Sequence, residues 1–90
     1  MPQIHCTHIL VKTEQEAIEV LEDLHDGASF AALAEMKSMC PSRKKGGDLG
    51  TFGRGQMAKP FVKVAFAMQK GQISGPVKTE FGWHVIKRLE

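Results

Sequence analysis

The chain has 90 residues, a formal net charge of +2, and hydrophobic and charged fractions of 42% and 24%. These values are typical of a globular domain, so they exclude a disordered chain, and no apolar run reaches the ~20 residues that span a membrane. The length predicts one domain over residues 1–90, and the small net charge gives no reason to expect nucleic acid as a partner. The first residues lack the basic and apolar regions of a secretory signal, so we expect a cytoplasmic protein in which Cys6 and Cys40 are free thiols.

The first predicted element is a strand over residues 4–11, which are rich in β-branched and apolar side chains. Both faces of this strand are expected to be at least partly covered. Alternation divides its side chains into two sets, with Cys6, His8 and Leu10 on one face and Thr7, Ile9 and Val11 on the other.

Two helices are predicted next. Thr13 and Glu16 have the spacing of a capping box, and Gly27 supplies the end of the first helix. Ser29 can cap a second helix, which must end before Pro41 because a residue before proline disfavours helical geometry. The side chains expected to face inward are Ala17, Ile18, Leu21 and Leu24 in the first helix, and Phe30, Leu33, Ala34 and Met36 in the second.

Residues 46–57 hold five of the chain's nine glycines, namely Gly46, Gly47, Gly50, Gly53 and Gly55. A flexible linker has no reason to carry Leu49, Phe52 and Met57, and the spacing of phosphate-binding glycine loops is absent. The stretch therefore predicts a short strand between tight turns that lines a groove. Just before it, Pro41 to Lys45 predicts one further helical turn closed by Gly46.

The remaining elements are a helix and two strands. Pro60 can open a short and largely buried helix, because apolar residues occupy more than one of its sides. Turn residues then separate a strand over residues 77–79 from a last strand over residues 83–89. In that last strand His84, Ile86 and Arg88 share one face.

Several residues could carry chemistry, and the residues alone leave alternatives open. His8 and His84 lie in the first and last strands, which often pair at the centre of small sheets, and two half-buried histidines that satisfy each other are the simplest interpretation. With Cys40 they could form a nucleophilic Cys–His arrangement, and with Cys6 a zinc site, although the ligand spacing for zinc is poor. Met57 and Phe61 could pack in the core or form an apolar cup beside the glycine stretch.

Three motifs stand in order along the chain. They are His8-Ile9-Leu10-Val11-Lys12, then Cys40-Pro41-Ser42 running through Lys45-Gly46-Gly47-Asp48-Leu49-Gly50 and Gly55-Gln56-Met57 to Pro60-Phe61, and finally Ser74-Gly75-Pro76-Val77 through Phe81-Gly82 to His84-Val85-Ile86-Lys87. Together they resemble the parvulin-type peptidyl-prolyl cis/trans isomerases, and the resemblance covers essentially the whole chain. It implies an α+β fold in which about four helices wrap a four-stranded antiparallel sheet, in the order β-α-α-α-β-α-β-β.

The resemblance also implies which side chains form the site. Those near the isomerising bond would be hydrogen-bonding groups: Cys40 beside the bond, His8 and His84 paired beneath it, and Thr79 joined to the pair. Those that bind substrate would be mostly apolar: Met57, Phe61 and Leu49 around the proline ring, with Phe52 and Gln56 shaping the floor and rim.

Members of this family that act on phosphorylated substrates carry a basic insertion after the first strand, whereas here Lys12 runs directly into the Thr13 cap. We therefore expect a monomeric isomerase that acts non-covalently on X–Pro bonds of peptides and of unfolded or flexible protein segments, without a phosphate requirement. No cofactor and no metal are expected. The alternative is a holdase that binds proline-containing segments with little turnover.

Overall fold

The structure, a computed structural model, describes residues 3–90 as a four-stranded antiparallel sheet with helices on both faces. In chain order the elements are β1 (Ile4–Val11), α1 (Glu14–His25), α2 (Phe30–Lys37), a 3-10 helix (Pro41–Lys45), β2 (Asp48–Phe52), α3 (Lys59–Ala67), β3 (Val77–Thr79) and β4 (Gly82–Arg88). The predicted α+β order is confirmed. Of the four helices expected, three are α-helices and the fourth is the 3-10 turn after Cys40. Within residues 3–90 no helix has the length and apolar character needed to cross a bilayer.

The sheet has the strand order β2-β1-β4-β3, so the first and last strands are neighbours at its centre. His8 lies opposite Ile86, and Leu10 lies opposite His84. Opposed residues in an antiparallel pair point to the same face, as do residues two apart along one strand. His8 and His84 are therefore diagonal neighbours on one face of the sheet, which confirms that the terminal strands bring them together.

Each face of the sheet has its own apolar cluster. On one face α1 and α2 cover β1 and β4 in a cluster that contains Ile9, Val11, Ala17, Val20, Phe30, Leu33, Ala34 and Val85. On the other face α3 covers a cluster that contains Ile4, Cys6, Phe52, Phe61, Ala65, Met68, Val77 and Ile86. The two histidines lie on the α3 face, since they alternate with the residues of the first cluster.

Both predicted helix caps form. Thr13 Oγ1 accepts a hydrogen bond from Glu16 N at 3.2 Å, and Ser29 Oγ accepts one from Ala32 N at 3.3 Å. The capping box is only half formed, because the Glu16 carboxylate accepts from the Thr13 hydroxyl instead of from the Thr13 backbone. These caps place the helix starts where the sequence predicted them.

Two inward-facing residues were predicted wrongly. Ile18 is 39% exposed and Met36 is 75% exposed. In α1 the buried stripe runs through Ala17 and Val20, so Ile18 falls beside it. In α2 the buried stripe comprises Phe30, Leu33 and Ala34, and Met36 lies on the opposite side of this short helix.

Arg88 of β4 fixes the far end of α3. Its Nη1 donates to the backbone oxygens of Met68 at 2.5 Å and Phe66 at 3.4 Å. These are carbonyls at the C-terminal end of the helix, where a positive charge is favourable. The contact holds α3 against the central strand, so that Phe61 lies over the histidines.

Gly47 marks the closest approach of the glycine stretch to β1. Its φ is +87°, and its carbonyl oxygen accepts a hydrogen bond from His8 N at 2.9 Å. A Cβ added there would overlap the carbonyl oxygen of His8 and would lie 3.2 Å from Ala34 Cβ. Only glycine combines this backbone conformation with so close a contact.

We expect Gly47→Ala to lower the free energy of unfolding by about 2–4 kcal/mol, because it adds left-handed strain and overpacks β1 next to His8. Gly55→Ala is the matched control, since Gly55 has no positive φ and an added Cβ there meets nothing within 4 Å. It should change stability by at most about 0.5 kcal/mol. Urea denaturation of both variants measures the difference, and equal stabilities would show that the close approach imposes no constraint.

Candidate active site

A cavity of about 300 Å³ opens on the α3 face of the sheet, between the glycine stretch and the start of α3. It is lined by six residues that the sequence singled out: His8, Cys40, Leu49, Met57, Phe61 and His84. They come from β1, the start of the 3-10 helix, β2, the loop before α3, α3 and β4. The apolar cup predicted from Met57 and Phe61 is therefore part of a cavity, although Phe61 also packs in the core with 2% exposure.

The two histidines form the floor of this cavity. Their Nδ1 atoms are 2.9 Å apart, and their rings are stacked with centroids separated by 5.1 Å. Phe61 packs edge-on against both rings, at 5.6 Å from His8 and 5.3 Å from His84. Thr79 Oγ1 lies 2.7 Å from His84 Nε2, and it also accepts a hydrogen bond from Phe81 N at 3.2 Å.

Burial keeps both rings uncharged. It lowers the pKa of His8 from 6.5 to about 4, with a smaller contribution from the neighbouring His84, and it lowers the pKa of His84 to about 4 as well. A contact between two ring nitrogens requires that one donates and the other accepts, so two neutral rings share one proton at the Nδ1 positions. The floor is therefore a neutral, hydrogen-bonded pair at physiological pH.

The surrounding partners favour one arrangement of the protons. If His84 Nδ1 donates to His8 Nδ1, then His84 Nε2 accepts from the Thr79 hydroxyl, which itself accepts from Phe81 N. The reverse arrangement would leave the Thr79 hydroxyl proton without an acceptor in the hydrogen bonds of residues 3–90. We therefore assign the first arrangement, in which the remaining ring proton lies on His8 Nε2. That buried nitrogen has no partner within the described residues.

Cys40 is a free, half-buried thiol on the wall of the cavity. Its position depends on Ser38, whose Oγ accepts hydrogen bonds from Leu10 N at 3.0 Å and Cys40 N at 3.3 Å. No hydrogen bond joins Cys40 to either histidine in the part of the chain that the structure describes. The nucleophilic Cys–His arrangement considered from the sequence is thus not formed.

The zinc alternative gains no geometric support. Cys6 is buried beneath α3, and burial raises the pKa of its thiol to about 11. Across residues 3–90 there is no group of three or more His, Cys, Asp or Glu side chains arranged to hold a metal ion.

Two residues expected to shape the cavity do not line it. Phe52 is buried below the cavity, where its ring lies 5.8 Å from that of Phe61, so it supports the wall from behind. Gln56 is exposed, and its Oε1 accepts from Gly53 N at 2.6 Å, which closes the turn before α3. Their proposed contribution to substrate binding stays a prediction.

The cavity also contains residues that the sequence did not single out: Leu10, Met39, Pro41, Ala58 and Phe81. Leu10 could have been found, because strand alternation places it on the same face as His8. Ser38, which positions Cys40, carries no local sequence signal. Its role arises from a hydrogen bond to a strand 28 residues earlier.

Residues 8–90 match the Rotamase family, the PPIC-type PPIase domain. The match thus extends from the first histidine of the pair to the last residue of the chain. Together with the order of the elements and the geometry of the cavity, it defines a peptidyl-prolyl isomerase domain. The chain belongs to the parvulin family, as its motifs predicted.

Three relatives illustrate the similarity. The chain is 48% identical over 87 residues to the foldase protein PrsA 4 of Bacillus cereus, and the aligned region covers 96% of this chain and 31% of that protein. It is 48% identical over 85 residues to the peptidyl-prolyl cis-trans isomerase Pin1 of Digitalis lanata, and the aligned region covers 89% of this chain and 72% of that protein. The solution structure of NmPin, the parvulin of Nitrosopumilus maritimus, matches with a TM-score of 0.89 and 45% identity over 100% of this chain and 98% of that one. The chain thus spans about a third of the PrsA foldases and nearly all of NmPin.

The histidine pair predicts a pH dependence of stability. Because the folded pKa values of about 4 lie below 6.5, the unfolded chain binds protons at these rings that the folded chain does not. The stability that the chain gains from keeping these two rings neutral is fully present above pH 6.5, and it is lost as the pH falls toward 4. Urea denaturation between pH 7 and pH 5 should show the decline before most carboxylates titrate.

The rings themselves can be followed by imidazole ¹⁵N NMR. At a pH of about 5.5, where a free imidazole is mostly protonated, His8 and His84 should still give neutral-ring shifts. A titration midpoint above about 6 for both rings would contradict the neutral pair.

Proposed function

We propose that this domain catalyses cis/trans isomerisation of X–Pro peptide bonds without a cofactor. The observation that carries the proposal is the apolar cavity with a neutral histidine pair as its floor. The residues that line the cavity all lie within this chain, so residues 1–90 should act as one sufficient domain.

Isomerisation of an X–Pro bond breaks no covalent bond and requires only surroundings that lower the barrier to rotation. Rotation about an amide disrupts C–N resonance and has a barrier of ~18–20 kcal/mol, so X–Pro bonds isomerise unaided in tens to hundreds of seconds. Each ~1.36 kcal/mol removed from the barrier gives a tenfold gain in rate. Lowering it by several kcal/mol is therefore enough for a useful enzyme.

The cavity can favour the twisted amide by its low polarity. The planar amide has more charge separation than the twisted one, so apolar surroundings destabilise it relative to the transition state. We propose that Met57, Phe61 and Leu49 hold the proline ring while the preceding carbonyl rotates. Charged imidazoles would add polarity to the floor, and the low pKa values prevent this at neutral pH.

Cys40 is proposed to act through its polarity beside the rotating carbonyl. A covalent route would need a base to activate the thiol and donors to stabilise an oxyanion. Neither histidine makes a hydrogen bond with Cys40. Within the described residues His8 Nε2 is the ring nitrogen of the pair without a partner, and in the assigned arrangement it carries a proton, so it is not a base for the thiol. The non-covalent route requires none of these groups.

The rim of the cavity favours a neutral or apolar residue next to the proline. Met39 is 52% exposed and Phe81 is 61% exposed, and both line the cavity. No lysine or arginine is among the lining residues. The adjacent 3-10 helix carries Arg43, Lys44 and Lys45, which are exposed, so their attraction for a phosphate would be screened by salt. This supports a substrate without a phosphate requirement.

We further propose that the domain acts as a monomer in the cytoplasm. The lining residues of the described cavity come from several elements of one chain, which supports a monomer as the active form. Cys40 is a half-buried free thiol on the cavity wall, and a reducing compartment would keep it in that state.

The activity is tested with Met57→Ala. Met57 is half-buried at the cavity, and losing its contact with the proline ring should lower kcat/KM on an Ala-Pro peptide about tenfold or more. Met36→Ala is the matched control, because Met36 is exposed on α2 and should leave kcat/KM unchanged. Phe61→Leu removes the aromatic ring from the cavity but leaves a smaller hole in the core than Phe61→Ala would, so it tests the contribution of the ring to activity. A wild-type protein that is inactive yet gives well-dispersed NMR signals would point to the holdase instead.

The role of Cys40 is tested by comparing Cys40→Asp, Cys40→Ser and Cys40→Ala, with each fold checked by circular dichroism. An aspartate is a far poorer nucleophile than a thiol, but it keeps polarity at the same place. If catalysis is non-covalent, Cys40→Asp should retain clearly more activity than Cys40→Ala. Equal loss in both variants, or a trapped adduct on Cys40, would require the covalent route.

A further inference from the structure

Acidic and basic residues are concentrated in two different stretches of the chain. From Thr13 to Met36, the stretch that contains α1 and most of α2, every Asp, Glu, Lys or Arg is acidic. From Leu49 to Thr79, the stretch that contains α3, there is no Asp or Glu, and the charged residues are Arg54, Lys59, Lys63, Lys70 and Lys78. Lys78 is the exception in position, because it pairs with Trp83 on the face that α1 and α2 cover. Since α1 and α3 cover opposite faces of the sheet, the substrate cavity lies on the same face as the basic residues of α3.

A groove of about 280 Å³ runs along the outer side of α3 and concentrates this charge. We call it the α3 groove, and it is lined by Arg54, Lys59, Val62, Lys63, Phe66 and Ala67. Its three basic residues are exposed, and none of them forms an ion pair with a described residue. Arg54 lies over the ring of Phe66, with Cζ 4.3 Å from the ring centroid, so one cation is held in place at the groove.

The lysines of this groove are placed where they weaken the helix. Lys59 is the first residue of α3, and the first turn contains no acidic residue. Positive charge at a helix N-terminus is unfavourable, and so is a pair of like charges four residues apart such as Lys59 and Lys63. In α1 the arrangement is the stabilising one, with Glu14 and Glu16 in the first turn. Helix stability therefore does not explain the charges of α3, and a bound anion would relieve both repulsions.

The α3 groove is continuous in sequence with the proposed active site. Ala58 lines the cavity, and the next residue, Lys59, lines the groove. Beneath them the rings of Phe61, Phe52 and Phe66 form a connected row, with centroid distances of 5.8 and 6.3 Å. Lys59 and Lys63 are separated by one helical turn, about 6 Å, which matches roughly two residues of an extended peptide.

We propose that the α3 groove binds an acidic segment of the same polypeptide whose proline occupies the cavity. The substrates would then carry Asp or Glu residues a few positions away from the proline, on one side only, with neutral or apolar residues directly beside it. This deepens the proposed isomerase function and rests on it. The groove supplies binding and orientation, while the cavity supplies the chemistry.

Continuity with the cavity favours a polypeptide as the occupant over an anionic lipid surface. A groove that begins one residue from the cavity can be reached by the chain that enters the cavity. The groove is also concave and includes the half-buried ring of Phe66, which offers an apolar contact to a neighbouring peptide side chain.

The test uses three peptides with the same Ala-Pro core. One has neutral flanks, one carries three Glu residues starting roughly two positions before the proline, and one carries them at the same distance after it. At low salt, one of the two acidic peptides should show about tenfold higher kcat/KM than the neutral one, mainly through KM. The gain should shrink at high salt, because exposed charges are screened.

Two variants locate the effect. The triple variant Arg54→Gln, Lys59→Gln, Lys63→Gln should lose the gain while keeping the neutral-peptide rate, which also shows that it is folded. The triple variant Lys70→Gln, Lys78→Gln, Lys87→Gln removes the same charge outside the α3 groove and should keep the gain. Equal gains for both acidic peptides, or a gain that survives the first triple variant, would overturn the proposal.

The remaining outcomes are also decisive. No turnover of any of the three peptides by the wild type refutes the proposed function, whereas turnover of all three without an acidic gain refutes only the role of the α3 groove. Co-sedimentation with phosphatidylglycerol vesicles tests whether the α3 groove binds an anionic lipid surface instead of a peptide. If vesicle binding depends on Arg54, Lys59 and Lys63 while neither acidic peptide gains, the groove is a lipid contact and the proposal is wrong.

Discussion

The hydrogen bond between His8 and His84 is the contact on which the rest of the structure depends. Two imidazoles can be buried side by side only if they are neutral and share a proton, and here burial lowers both pKa values to about 4. The pair requires that the first and last strands are adjacent, which the β2-β1-β4-β3 order provides. It also requires a third hydrogen-bonding group, and the strand next to β4 provides Thr79.

Helix α3 serves the site from two sides. Its inner side places Phe61 over both imidazoles, and Arg88 holds its C-terminal end against the sheet. Its N-terminal half carries Lys59 and Lys63 without acidic partners, and its N-cap residue makes no side-chain hydrogen bond. The C-terminal end of α3 is therefore well anchored, whereas its N-terminal end, which lies beside the cavity, is poorly stabilised.

Local sequence signals predicted the elements accurately because they report interactions within a few residues. Thr13 and Ser29 mark their helices through side-chain to backbone hydrogen bonds three residues away, and Pro41 and Gly46 bound the 3-10 turn. Which residues at the edge of a helix's buried stripe face inward was less predictable. Ile18 and Met36 are apolar and helical, yet both are exposed, because the width of a buried stripe depends on what packs against the helix.

The sequence by itself determined the α+β order, the helix boundaries and, through its motifs, the family and most residues around the cavity. It could not decide that Phe52 lies behind the wall, that Gln56 closes a turn, or that Ser38 positions Cys40. Those facts arise from contacts between residues far apart in the chain, such as the 76 positions that separate His8 from His84. The neutrality of the histidines was likewise decided only by the tertiary structure, since a pKa falls with burial, and burial depends on the packing of α3 over the sheet.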